Sequence, residues 1–142
     1  MEKKKPNTIK VSIEELDKGG YHVFINVKIN GKRCRFLIDT GASKCVVDKA
    51  YFEKHLGKLK VVKQSTTGLH SSTVESYFGK IEKFEVGKLA IKNYNVAAVD
   101  LAHVNGTYAQ IGRSKIHGIL GSDVMFKYKM LVDYGASALI IP

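Results

Sequence analysis

Cysteine is scarce in this chain, and acidic residues are outnumbered. Two cysteines in 142 residues are too few for a disulfide framework, and the spacing of Cys34 and Cys45 fits no zinc pattern. The chain also lacks any apolar run near the roughly 20 residues of a membrane-spanning helix, so no membrane partner is expected. Low-complexity segments and solenoid periods are missing too. The histidines (His22, His55, His70, His103 and His117) are scattered, with no pair at ligand spacing. That spacing predicts neither a metal site nor a cofactor. The 13 acids stand against 23 Lys and Arg, for a net charge of +10. Such an excess can draw nucleic acid, acidic lipid or acidic protein. Here it is dispersed: the one basic block is Lys3-Lys4-Lys5, and there is no arginine cluster or aromatic stripe. Nucleic acid is therefore not the expected partner. The opening Met1 to Pro6 leads into polar residues rather than an apolar signal core. The expectation is a cytoplasmic chain, or a periplasmic or secreted one if a signal peptide has been removed.

What is present reads mostly as strand. The length suits one domain with a sizeable core, expected over residues 8–142 after a flexible tail at 1–7. Tyr21, Val23, Ile25, Val27 and Ile29 alternate with their neighbours and share one face. Asn30-Gly31 then signals a hairpin whose two turn positions both want positive φ. The return strand ends Phe36-Leu37-Ile38, apolar at every position, as in a strand covered on both faces. Lys44 to Val47 is predicted as a short strand. Asp48 is placed to cap a helix running to about Leu56, with Gly57 beyond its end. Strands are predicted over about 59–65, 73–86 and 88–100, the first two forming a long hairpin with Gly68 at its polar tip. Residues 102–115, with Asn105-Gly106, read as a loop. Ile116 to Leu120 reads as a strand, Ser122 as the cap of a short helix through Tyr128, and Lys129 to Val132 and Ala138 to Ile141 as closing strands.

Two motifs carry chemistry. The apolar strand runs straight into Asp39-Thr40-Gly41-Ala42-Ser43. A carboxylate at the end of a buried strand is costly unless it is hydrogen-bonded or used. Gly41 permits a tight turn whose N–H can point at that carboxylate, and Thr40 and Ser43 supply hydroxyls. The second motif is Gly118-Ile119-Leu120-Gly121-Ser122-Asp123, an apolar pair followed by a glycine that lets one strand pass close behind another loop. Asp123 could bond behind the site or serve as a first-turn acid favoured by the helix dipole. An echo of the first motif, Val132-Asp133-Tyr134-Gly135-Ala136-Ser137, lacks the small hydroxyl of Thr40 and is read as a hairpin turn. Cys34 and Cys45 are expected as free, packed thiols, although their nearness in sequence allows a bridge.

In this order the two motifs resemble those of the retropepsin-like aspartic proteases, over most of the chain from about residue 8. The resemblance implies an all-β fold, a closed acid-protease β-barrel with one or two short helices. It implies that Asp39 is catalytic, with Thr40, Gly41, Ala42 and Ser43 forming its loop. Ile119, Leu120, Gly121 and Asp123 would support that loop from behind. A flap around Thr67, Gly68 and Leu69 would cover the substrate. The chain holds one credible Asp-Thr-Gly, and peptide hydrolysis in this family needs two carboxylates sharing a proton across a water. The implied partners are thus a second copy of the chain and a peptide or protein substrate. The two copies would join through exposed strand edges near Thr8 to Ile13 and Ala138 to Ile141. Alanine after the glycine, as in retroviral-type enzymes, removes one possible hydroxyl donor to the carboxylates. That predicts activity from mildly acidic to near-neutral pH. The competing readings are a dimeric peptide-binding or assembly module of the same fold that does not cut, and a basic nucleic-acid-binding β-domain.

Overall fold

The computed structural model describes residues 6–65 and 73–142. It contains eleven strands and three short helices. Strands β3 (Gly20–Ile29) and β4 (Lys32–Ile38) form the predicted hairpin, turning at Asn30 (φ 49°) and Gly31 (φ 84°). β2 (Ser12–Asp17) pairs antiparallel with the outer side of β3. β4 meets β9 (Gly118–Leu120) in parallel, and β9 meets β5 (Val46–Asp48) antiparallel. β5 then lies parallel to β8 (Leu89–Val99), which continues through β7 (Thr73–Val86) to β6 (Lys60–Ser65). A further pairing of Lys28 with Glu85 and Ile29 with Phe84 joins β3 to β7 and closes six of these eight strands into a ring.

The ring encloses the main core. Val23, Ile25, Val27 and Ile29 point inward from β3 as their alternation requires, meeting Phe36 and Ile38 of β4 and Phe84 of β7. The other face of the β3–β4 hairpin is also covered. Phe24 packs with Leu101, Tyr108 and Ile116, and Leu37 lies against that cluster. This second cluster is why the end of β4 is apolar at every position.

The covering element is α2 (Ala102–Gln110), a helix where the sequence reads as a loop. Asn105 holds it. Its side-chain amide donates to the Ile116 carbonyl at 3.0 Å, and its side-chain oxygen accepts from the Ile116 N–H at 2.8 Å. Tyr108 is buried edge-on against Phe24. These tertiary contacts override the local turn preference of Asn-Gly. Helix α1 (Lys49–His55) is capped as expected, the Asp48 carboxylate accepting from the Tyr51 N–H, and Gly57 follows with φ 118°. Its buried residue is Phe52, whose ring occupies the space a side chain at Gly79 would need. Helix α3 (Ser122–Lys127) has Gly121, not Ser122, at its N-cap position.

A second, three-stranded sheet has the order β1 (Asn7–Lys10), β11 (Ala138–Ile141), β10 (Leu131–Asp133). This arrangement corrects one of the two expected docking edges, that of Ala138 to Ile141, and leaves β1 as an edge strand. β11 pairs with β1 on one side and β10 on the other within one chain, so the segment Ala138 to Ile141 has no free edge. Leu139 and Ile141 are core residues. The Asp133 echo is the hairpin turn between β10 and β11, the Ala136 N–H donating to the Asp133 carboxylate at 3.0 Å.

Candidate active site

β4 delivers Asp39 to the end of the parallel β4–β9 pair. The register Phe36–Gly118, Leu37–Ile119, Ile38–Leu120 continues into a bond from the Asp39 N–H to the Leu120 carbonyl at 3.0 Å. Beyond it the chain turns tightly. The Gly41 N–H donates to the Asp39 Oδ1 at 2.9 Å, and the Ala42 N–H to the Asp39 carbonyl at 3.1 Å. Asp39 is half-buried, and Thr40, Gly41 and Ser43 are exposed. The carboxylate is thus oriented by one backbone donor.

The glycine of the second motif is explained by distance. A Cβ on Gly121 would stand 2.6 Å from both the carbonyl carbon and oxygen of Lys44, and 2.9 Å from the Ala42 oxygen. A side chain there would collide with main chain, which cannot swing aside. The Ser122 N–H also donates to the Ala42 carbonyl at 2.7 Å. The segment 119–123 therefore lies directly against the loop 39–45. Ile119 is half-buried in β9, and Leu120 is fully buried.

Asp123 sits at the far end of that contact. Its Oδ1 accepts from the Cys45 N–H at 3.0 Å and from the Cys45 thiol at 3.3 Å, and its Oδ2 accepts from the Tyr94 hydroxyl at 2.8 Å. Burial pushes this carboxyl upward, but the bonds from Tyr94, Cys45 and the Val124 backbone outweigh it and hold the group below its ordinary range. Burial likewise pushes the Cys45 thiol up to about 11, which keeps it protonated and able to donate. Cys34 is a second free, buried thiol, 3.1 Å from the Tyr51 hydroxyl.

A cleft of about 360 Å³ opens at Asp39 and Thr40, walled by Tyr21, His22, Val23, Leu37, Ile38, Val132 and Tyr134. Among the described residues, Asp39 is the one carboxylate in this lining. His22 stands 2.9 Å from the Tyr108 hydroxyl, which ties α2 to the cleft wall. Tyr21, His22 and Tyr134 line the cleft and Tyr94 holds Asp123, roles that the two motifs do not announce. For the first two, a signal existed: the hairpin register pairs Val23 with Ile38, which brings the residues just before Val23 beside the Asp39 turn. For Tyr134 and Tyr94 no local signal existed. Asp39, Thr40, Gly41, Ala42 and Ser43 are brought together with Ile119, Leu120, Gly121 and Asp123. Thr67, Gly68 and Leu69 lie outside the described residues.

The aspartyl protease family model matches residues 25–124, a span that holds both motifs. Among solved structures, the fold is similar to a retropepsin-like aspartic protease from Rickettsia conorii. That match has 22% identity, covers 98% of this chain and 96% of that one, and has a TM-score of 0.55. It is also similar to the retroviral protease-like domain of Ddi1 from Leishmania major, at 16% identity over 83% and 86% of the two chains, with a TM-score of 0.55. No curated protein sequence matches the chain. With its β-ring, its Asp-Thr-Gly turn and the Ile-Leu-Gly segment packed behind it, the chain belongs to the aspartyl protease family and has the retropepsin-like fold.

Proposed function

We propose that the protein is an aspartic endopeptidase, active as a homodimer, in which the Asp39 carboxylates of two chains activate a water between them. The observation that carries this reading is the position of Asp39: a half-buried carboxylate at the mouth of a cleft, held by the Gly41 N–H, and, among the described residues, the one carboxylate in the cleft lining. One carboxylate cannot serve as both base toward the water and acid toward the carbonyl oxygen. Two facing carboxylates can, because they cannot both ionise cheaply and so retain one proton between them. Such a pair titrates as a unit. Gly41 orients the carboxylate, and Ala42 supplies a methyl where a hydroxyl could have been a further donor.

Tyr21, Tyr134, Val132 and Leu37 give the cleft apolar surface beside the polar groups of His22, Asp39 and Thr40, a mixed wall that suits an extended peptide with hydrophobic side chains at the cut and a polar main chain. Cleavage of a diverse peptide mixture, followed by mass spectrometry from pH 4 to 8 beside an Asp39→Asn control, tests the reading. Cuts that vanish in the control are expected, with activity from mildly acidic to near-neutral pH. With the series extended to about pH 3, a rate that climbs steadily to that end, with nothing at about pH 6, would contradict that pH range. A folded dimer that cuts nothing would favour the binding-module reading.

A further inference from the structure

The loop 39–45 is fastened to the segment 120–123 at both ends. At the near end are the Asp39 N–H to Leu120 carbonyl bond and the Ser122 N–H to Ala42 carbonyl bond. At the far end, the Cys45 side chain and its backbone N–H reach the same region from two directions. The Cys45 sulfur accepts from the Gly121 N–H at 3.2 Å while its S–H and N–H both donate to Asp123 Oδ1. The remaining oxygen of Asp123 is filled by the hydroxyl of Tyr94, which arrives from β8. Cys45 is 2% exposed, and Gly121 is also buried. Water is therefore poorly placed to substitute at Cys45 and Gly121, while Asp123 and Tyr94 are half-buried, and a lost donor at the buried end is not cheaply replaced.

We propose that Cys45 and Tyr94 are positioning residues for Asp39, acting through Asp123 to fix the far end of the Asp39 loop. The inference rests on the peptidase reading only for its effect on rate; the mechanical claim stands on the hydrogen bonds. Neither side chain lines the cleft. The Tyr94 ring is stacked on Phe84 with centroids 5.8 Å apart. The hydroxyl is thus the part of Tyr94 that reaches the network, and the ring is held by packing that phenylalanine would keep. At Cys45 the required chemistry is one donor and one acceptor on a small side chain. Serine offers both on a shorter bond, and alanine offers neither.

The test uses three variants, Tyr94→Phe, Cys45→Ser and Cys45→Ala, with two readouts. The first is amide hydrogen exchange of residues 39–45 in the full-length protein, which needs no turnover. Tyr94→Phe and Cys45→Ala should each speed exchange in this loop by about tenfold, the scale of one hydrogen bond to a charged group. The core amides of β3 should be unmoved, and Cys45→Ser should lie near the wild type. The second is peptide cleavage, where kcat should fall about tenfold in the same two variants with KM little changed. Unaltered loop exchange in Tyr94→Phe and Cys45→Ala would overturn the proposal whatever the activity. Accelerated exchange with an unaltered kcat would also overturn it, since the loop would then be loosened without consequence for Asp39. Should Asp39→Asn continue to cleave, the peptidase reading falls instead, and loop exchange still decides the mechanical claim.

Discussion

A single carboxyl group separates the proposed enzyme from an inert relative, and its replacement is conservative. Asp39→Asn keeps an oxygen that can accept from the Gly41 N–H, so the turn should hold and stability should change by less than about 1 kcal/mol. Cleavage should drop to background, because the amide can neither take nor give the shared proton. Paired thermal melts and peptide assays check both halves of that expectation. Asp123 makes the contrasting case of an acid used for structure. Its hydrogen bonds overcome the cost of burial and hold its carboxyl below the ordinary 3.8. A carboxyl depressed on folding contributes stability that is complete above the unfolded-state value and drains away as pH falls through the folded one. The Asp123 contribution to the thermal midpoint should therefore stay level from neutral pH to about pH 5 and decline below about pH 4, apart from the loss that begins below the ordinary 6.5 of His117, whose charged form burial disfavours. Asp123→Asn should be less stable at neutrality, where it cannot accept from both Cys45 and Tyr94, and should show a shallower acid decline. Equal acid slopes in the two proteins would remove Asp123 from the account.

Among the secondary elements, the glycines show which close approaches the fold depends on. Gly121→Ala sets a methyl against the Lys44 and Ala42 main chain. The loop 39–45 must shift to admit it, at a cost of about 1–3 kcal/mol in urea unfolding together with loss of cleavage. Gly106→Ala is the counterpart. The position lies inside α2 with nothing within 4 Å of a Cβ. Alanine there should stabilise by up to about 1 kcal/mol through helix propensity alone. This pair of positions also shows what the sequence could disclose. Ile119-Leu120-Gly121 is legible because a strand passing behind a loop needs a residue without a side chain, and that need is written locally. The hairpin at Asn30-Gly31 and the cap at Asp48 are legible for the same reason. Helix α2 is not, because Asn105-Gly106 reads as a turn in any short window. What holds the helix is the clamp from Asn105 to Ile116 and the packing of Tyr108 on Phe24, a contact between residues far apart in the chain. The contacts of Tyr94 and Cys45 with Asp123 were hidden likewise, since nothing local pairs β8 with α3.

For the whole molecule, the position of β11 changes what the C-terminal residues do. The sequence marks Ala138 to Ile141 as a strand but cannot say which neighbours it takes, and an edge strand open to a second copy was the expectation. As the middle strand of the small sheet, β11 instead holds β1 and β10 and sends Leu139 and Ile141 into the core. Removing residues 138–142 deletes buried Ala138 and the two large core side chains of Leu139 and Ile141, the latter each worth about 2–5 kcal/mol, from a domain whose whole stability is of order 5–15 kcal/mol. The truncated chain should lose cooperative unfolding rather than become a folded monomer; a well-folded monomeric product would restore the terminal-edge arrangement. The need for two chains is better tested with full-length protein, by poisoning. If each site requires Asp39 from both copies, an excess of Asp39→Asn chain should capture wild-type chains in dimers with one carboxylate. After subunit exchange at a ninefold excess, activity per wild-type chain should fall to about a tenth, because random pairing leaves that fraction of wild-type chains with a wild-type mate. Activity per wild-type chain that ignores the excess, with exchange confirmed by mass-labelled subunits, would mean that one Asp39 suffices. The shared-proton mechanism would then have to find its second carboxylate within a single chain.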